Sequence, residues 1–148
     1  MRLEDLRIGS YVDYINVEGK KTRCMVVDIN INDHIVTMRD LGDQSEFYVN
    51  INEKWDLVKD VQTTEVELRK FGFNFDVNQS VYMLPDSGAW KKGENVIVKR
   101  YNGDYDLLIR KDEAFYGCKA IHVPSVHLLQ KAVKDNYGID LSYVWYNV

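Results

Sequence analysis

The chain has 148 residues, of which 45% are hydrophobic and 28% charged, and a formal net charge of −4. That length holds one domain or two small ones with a real core, and the composition excludes a disordered class. Two distant cysteines, Cys24 and Cys118, point to a reducing compartment rather than a secreted disulfide scaffold, and no apolar run approaches the ~18 residues of a membrane span.

The opening MRLEDLRIGSYVDY lacks an apolar signal core, so a cytoplasmic protein is expected, with no membrane partner. Residues 1–61 carry 8 Lys/Arg against 12 Asp/Glu, and residues 62–148 carry 11 of each. Nucleic-acid affinity rests on clustered cations, and an acidic first half argues against that role for it.

In chain order, Ile8–Val17 reads as a strand ending at a Glu18-Gly19 turn. Arg23–Ile31 follows, with Val27, Ile29 and Ile31 alternating against Asp28 and Asn30. Asn32-Asp33 is the next turn signal, Ile35–Arg39 returns, and Asp40–Ser45 is a polar loop. Glu46–Ile51 and Trp55–Val58 complete five short strands. Such a set predicts a small meander barrel of SH3-like size over 1–61, whose closure removes exposed edges. An open sheet covered by the second half is the alternative. Tyr11, Tyr14, Phe47, Tyr48 and Trp55 supply its aromatics, some for the core and some for a recognition face.

Residues 62–148 read as an α+β region, with one compact unit over the whole chain as the alternative division. Thr64 followed by Glu67 is a capping-box pattern opening a two-turn helix, with Val66, Leu68 and Phe71 as its apolar positions and Gly72 just past its end. Strands resume at Asn74; Val81–Leu84 is stopped by Pro85, and Asp86–Glu94 is a loop. Val96–Ile109 then predicts a hairpin through Asn102-Gly103, because a type I′ turn needs φ > 0 at both central residues. The two-residue loop sets Tyr101 opposite Asp104, Arg100 opposite Tyr105, Lys99 opposite Asp106, Val98 opposite Leu107 and Ile97 opposite Leu108. Ala114–Val123 is the next strand. The C-terminal helix opens at Pro124-Ser125, with Ser125 as N-cap, Val126, Leu129 and Val133 as the buried stripe, and Gly138 at its end. The tail LSYVWYNV reads as a final strand on the sheet.

No stretch forms a catalytic, cofactor or phosphate-cradling signature. Cys118, His122 and His127 are spaced C-x3-H-x4-H, but a structural zinc site needs a fourth ligand that the sequence does not offer; they read as a buried thiol and two ordinary histidines. The pairs Asp104/Asp106, Asp112/Glu113 and Asp56/Asp60 read as solvated carboxylates at turns and strand ends. The only cationic-aromatic neighbourhood is the loop around Trp90, Lys91 and Lys92 together with Lys99, Arg100, Tyr101, Arg110 and Lys111. On one face, Trp90 and Tyr101 would stack single-stranded bases while Lys91, Lys92 and Arg100 meet the backbone.

Three segments carry a resemblance: RIGSYV, TTEVELRKFGF and VPSVHLLQKAVKDNYGIDL. In this order they resemble small uncharacterised proteins of Bacteroidetes phages and integrated mobile elements, whose pattern runs L-R-I-G-N, then L-T-E-E-x-L-x-K-F-G-F, then V-H-x-L-Q-N-L-Y-F. The match covers the two helices and the strand entering the second. Lys131-Ala132-Val133 stands where the pattern has Asn-Leu-Tyr, and the apolar-proline run before the first helix is absent. The resemblance implies a shared fold and an origin in a phage or mobile element, and no activity for any residue.

The expectation is therefore a non-enzymatic accessory protein, without metal or cofactor, that recognises a host or phage protein. Single-stranded nucleic-acid binding through Trp90, Lys91, Lys92, Arg100 and Tyr101 is the alternative, and a small enzyme built on Cys118 is the second alternative.

Overall fold

The structure is a computed structural model, and it describes residues 1–84, 96–110 and 118–144, with the side chains of Arg110 and Cys118 outside the description. The fold is α+β, mostly antiparallel sheet with few helices. The chain divides into two compact units, Met1–Val61 and Gln62–Val148.

The first unit holds strands β1 (Tyr11–Ile15), β2 (Lys21–Asn30), β3 (Ile35–Asp40), β4 (Glu46–Asn50) and β5 (Val58–Lys59), with a one-turn helix α1 (Ile51–Lys54) and a 3-10 turn (Trp55–Leu57) before β5. All pairings are antiparallel, in the order β4-β3-β2-β1-β5, and the sheet curls into a half-barrel. Its register slips between Val26 and Asp28 on β2, and such a bulge bends the long strand. The concave side buries Leu6, Val12, Cys24, Val26, Val36, Met38, Val49 and Val58.

Two expectations need correction here. β1 starts at Tyr11 rather than Ile8, because Gly9 takes φ 96° and the Ser10 hydroxyl accepts the Arg7 N–H at 2.9 Å, so the preceding residues turn. Trp55–Val58 is not a strand: the Asn50 side chain accepts the N–H groups of Asn52 at 2.9 Å and Glu53 at 3.3 Å and starts a helical turn. That leaves β5 only Val58 and Lys59. The expected Asn32-Asp33 turn joins β2 to β3, with the positive φ on His34, at 56°. Asn30 makes this possible by bonding the Asp33 carboxylate and N–H through its own side chain.

The second unit runs α2 (Glu65–Lys70), β6 (Asn74–Asp76), β7 (Val81–Leu84), β8 (Val96–Tyr101), β9 (Asp104–Arg110), β10 (Cys118–His122) and α3 (Val126–Tyr137). The strands pair in sequence as an antiparallel meander, β10-β9-β8-β7-β6. The β8–β9 hairpin has the expected register from Ile97–Leu108 to Tyr101–Asp104, with Asn102 at φ 50° and Gly103 at φ 84°. One face buries Val96, Val98, Tyr105 and Leu107. Tyr82, paired with Val98, sets its ring edge-on to Tyr105 at 6.0 Å on that face. On α3 the buried stripe contains the expected Val126, Leu129, Ala132 and Val133, widened by His127, Gln130 and Tyr137. Gly138 closes the helix in the left-handed region at φ 72°, its N–H bonded to the Lys134 carbonyl at 3.0 Å. The Tyr137 hydroxyl donates to the Leu108 carbonyl at 2.8 Å and ties α3 to β9.

Two further corrections concern α2 and the tail. Thr64 caps α2 as expected, accepting the Glu67 N–H at 3.3 Å, but Val66 is exposed and Glu67 is buried. The reason is tertiary: the Tyr143 hydroxyl donates to the Glu67 carboxylate at 2.5 Å, and the Lys70 ammonium lies 3.5 Å from it. Residues 141–144 accordingly form no strand. They dock on α2, with the Tyr143 ring 4.7 Å from Phe71 and 5.6 Å from the Lys70 ammonium, and with the Val144 N–H on the Lys70 carbonyl at 2.8 Å. Residues 114–117 of the expected 114–123 strand, and 145–148 of the tail, lie outside the described residues.

Candidate functional site

In the first unit the curl of the sheet sorts the five aromatics into three environments. Tyr11 is buried. Tyr14 and Phe47 are half-buried against the core, with ring centroids 5.0 Å apart and planes tilted by 50°. Trp55 and Ile51 pack around the same core, and the Trp55 indole N–H donates to the Met1 carbonyl at 3.3 Å. Tyr48, on the opposite side of β4 from Phe47 by strand alternation, is 76% exposed. Tyr14 comes from the end of β1 and Phe47 from the start of β4, strands at nearly opposite ends of the sheet order. Only the curl brings them together.

On the opposite face of β1 from Tyr14 lies a buried carboxylate. Asp13 is held by Arg23, whose Nε is 2.7 Å from Oδ1, and by Lys21, whose Nζ is 3.5 Å from Oδ2. In register Asp13 also faces Lys59 of β5. A buried carboxylate so paired is a structural group, since its lone pairs are already engaged. Cys24 is inert in the same way. Burial, and then the carboxylates of Asp40 and Asp13, push its thiol pKa up to about 12, so no thiolate nucleophile exists there at neutral pH.

The second unit presents a polar end to the β8–β9 hairpin. Register sets Lys99, Asp106 and His122 in one row across β8, β9 and β10, with Tyr101 and Asp104 beside them on the same face. His122 Nδ1 lies 3.1 Å from Asp106 Oδ1, and Nε2 lies 3.4 Å from Asp104 Oδ2. Both ring nitrogens thus face carboxylates at an exposed position. Alternation of Asp104 and Asp106 along β9 was the available signal for this cluster, but it needed the β9–β10 register, which no turn in the sequence sets.

Of the residues expected to bind nucleic acid, Arg100 and Tyr101 are exposed on the hairpin but point to opposite faces, because Arg100 pairs with Tyr105 and Tyr101 with Asp104. Tyr101 shares its face with two carboxylates. Trp90, Lys91 and Lys92 lie outside the described residues. Of the C-x3-H-x4-H residues, His122 is exposed beside Asp104 and Asp106, His127 is buried on α3, and the Cys118 side chain lies outside the description. Among the described residues no group of three or more His, Cys, Asp or Glu side chains is placed to hold a metal ion, and no helix is long and apolar enough to cross a membrane.

Compared with known proteins, the chain matches no family model and no curated protein sequence.

Proposed function

We propose that this is a non-enzymatic accessory protein of a phage or mobile element that acts by protein–protein recognition, with Met1–Val61 as an SH3-like recognition module and a host or phage protein as its partner. The observation that carries the reading is the Tyr14–Phe47 pair, half-buried with ring centroids 5.0 Å apart, in a unit of 8 basic and 12 acidic residues. Aromatic side chains give contact area at low entropic cost, and the acidic balance favours a partner segment of opposite charge. Three features support an SH3-like module: the strand order β4-β3-β2-β1-β5, the bulged long β2, and the 3-10 turn ahead of a short last strand. The phage or mobile-element origin rests on the sequence resemblance alone.

The test is affinity capture of the tagged full chain from a native host lysate, with and without nuclease, beside the Phe47→Ser variant checked for its fold. A captured protein that survives nuclease and is lost with Phe47→Ser supports the reading. Recovery that disappears with nuclease overturns it in favour of nucleic acid, whose binding would also fall steeply with salt.

A further inference from the structure

A sheet edge is a row of unpaired backbone groups, and proteins shield their edges by shortness, charge, proline or bulges. Among the described residues, three of the four sheet edges are shielded. β5 has two residues and β6 three, while β10 carries Lys119 and His122. The fourth, β4, has five residues, EFYVN, with no lysine, no proline and no irregularity in its register with β3.

The phase of the β3–β4 ladder tells which of its groups face outward. The Asp40 N–H bonds the Ser45 carbonyl at 2.8 Å at one end, and the Ile51 N–H bonds the His34 carbonyl at 2.8 Å at the other. Bonded and non-bonded pairs alternate in an antiparallel ladder, so Val36–Val49 and Met38–Phe47 exchange bonds with β3. Glu46, Tyr48 and the Asn50 N–H therefore aim away from the sheet. At the centre of this edge stands the exposed Tyr48.

We propose that β4 is a self-association edge, on which a second copy of this chain adds antiparallel about a twofold axis through Tyr48. In that register Tyr48 meets its own copy, Glu46 of each copy meets Asn50 of the other, and Phe47 meets Val49. No carboxylate faces a carboxylate, and Glu46 is already matched by Arg39 at 3.0 Å. Moving the axis to Phe47 or to Val49 pairs only three of the five β4 residues with the other copy's β4, and moving it to Glu46 sets Glu46 against Glu46, so the Tyr48-centred register, which pairs the whole strand, is selected. Phe47, half-buried in the monomer, gains a cross-strand neighbour on the core face. The acidic balance of residues 1–61 opposes the approach of two copies, so salt strengthens the dimer. This inference does not depend on the recognition reading above.

Sedimentation of the full chain from about 1 to about 500 µM, at low and high salt, reads the association directly. The expected result is a concentration-dependent dimer favoured by salt. Tyr48→Lys and Tyr48→Pro each weaken it roughly tenfold or more. The proline costs no bond to β3, because the Tyr48 N–H points outward. Val17→Lys, at another exposed apolar position, leaves it unchanged. Should a Tyr48 variant fail to fold, amide exchange of the wild type decides: the Tyr48 N–H gains protection with concentration and the Lys59 N–H does not. A monomer at every concentration overturns the proposal. So does a dimer that leaves the Tyr48 N–H unprotected.

Discussion

The two five-stranded sheets are assembled on different principles. In Gln62–Val148 each described strand pairs with its neighbour in the chain, from β6 through β10. In Met1–Val61 the last strand skips back to the first, pairing Tyr14 with Val58 and Asp13 with Lys59. A sequential meander can be written into its turns. A sheet completed by a distant two-residue strand cannot, because no turn brings β5 to β1 and two residues make few ladder bonds. Its order must come from side chains: the register row Lys59–Asp13–Arg23 on one face of the sheet, and the core of Val12 and Val58 on the other. Long-range pairing of this kind also costs more chain entropy before it gains contacts. The teaching is that the first sheet depends on a few buried groups, and the second on many local ones.

The sharpest way to break that contrast is Asp13→Ala. Removing one partner of a buried ion pair leaves Arg23, whose side chain is only 15% exposed, without its carboxylate. The expected loss is about 3 kcal/mol, near the low end for buried pairs because Lys21 is solvated. Denaturant unfolding with residue-resolved amide exchange checks it: protection falls first at β1, β2 and β5, while the β8–β9 hairpin keeps its own. Equal loss in both sheets would mean that Asp13 is not what secures the first.

A smaller effect separates the sheets by pH. The Cys24 thiol is held protonated in the folded state to about pH 12, whereas an unfolded thiol ionises near its ordinary value of about 8.5. Above that value the unfolded state releases a proton that the folded state keeps, so stability falls as pH rises from about 8.5 toward 12. Near pH 10 the loss amounts to roughly 1–2 kcal/mol. It is read as the difference in pH slope between the wild type and Cys24→Ala in thermal melts, which removes the contribution of other titrating groups. A variant with the wild-type slope would remove the buried thiol from the account.

The smallest effect tests the second unit. Tyr143→Phe keeps the ring on Phe71 but removes the hydroxyl from Glu67, which retains Lys70. The expected cost is about 1 kcal/mol. Amide exchange should localise it to α2 and the Val144 N–H, leaving the hairpin amides unchanged. A loss spread over β8 and β9 would show that the tail supports the sheet and not only the helix.

The parts of this protein legible from sequence are those whose partners lie within a few residues. Asn102-Gly103 sets the hairpin register because its backbone can turn only one way. Thr64 caps α2 and Gly138 ends α3 for similarly local reasons. The Asn50 cap was equally local, with Glu53 three residues on, but its β-like surroundings masked it. Tertiary structure alone decided the rest. Glu67 is buried and Val66 exposed because Tyr143 and Lys70 supply the carboxylate with partners that helical periodicity cannot see. Tyr14 and Phe47 become a half-buried pair, Tyr48 an open edge and Asp106 a neighbour of His122 because strands distant in sequence become adjacent in space. Hydrophobicity specifies which residues tend to be buried, but which face of an element is covered depends on what the rest of the chain brings to it.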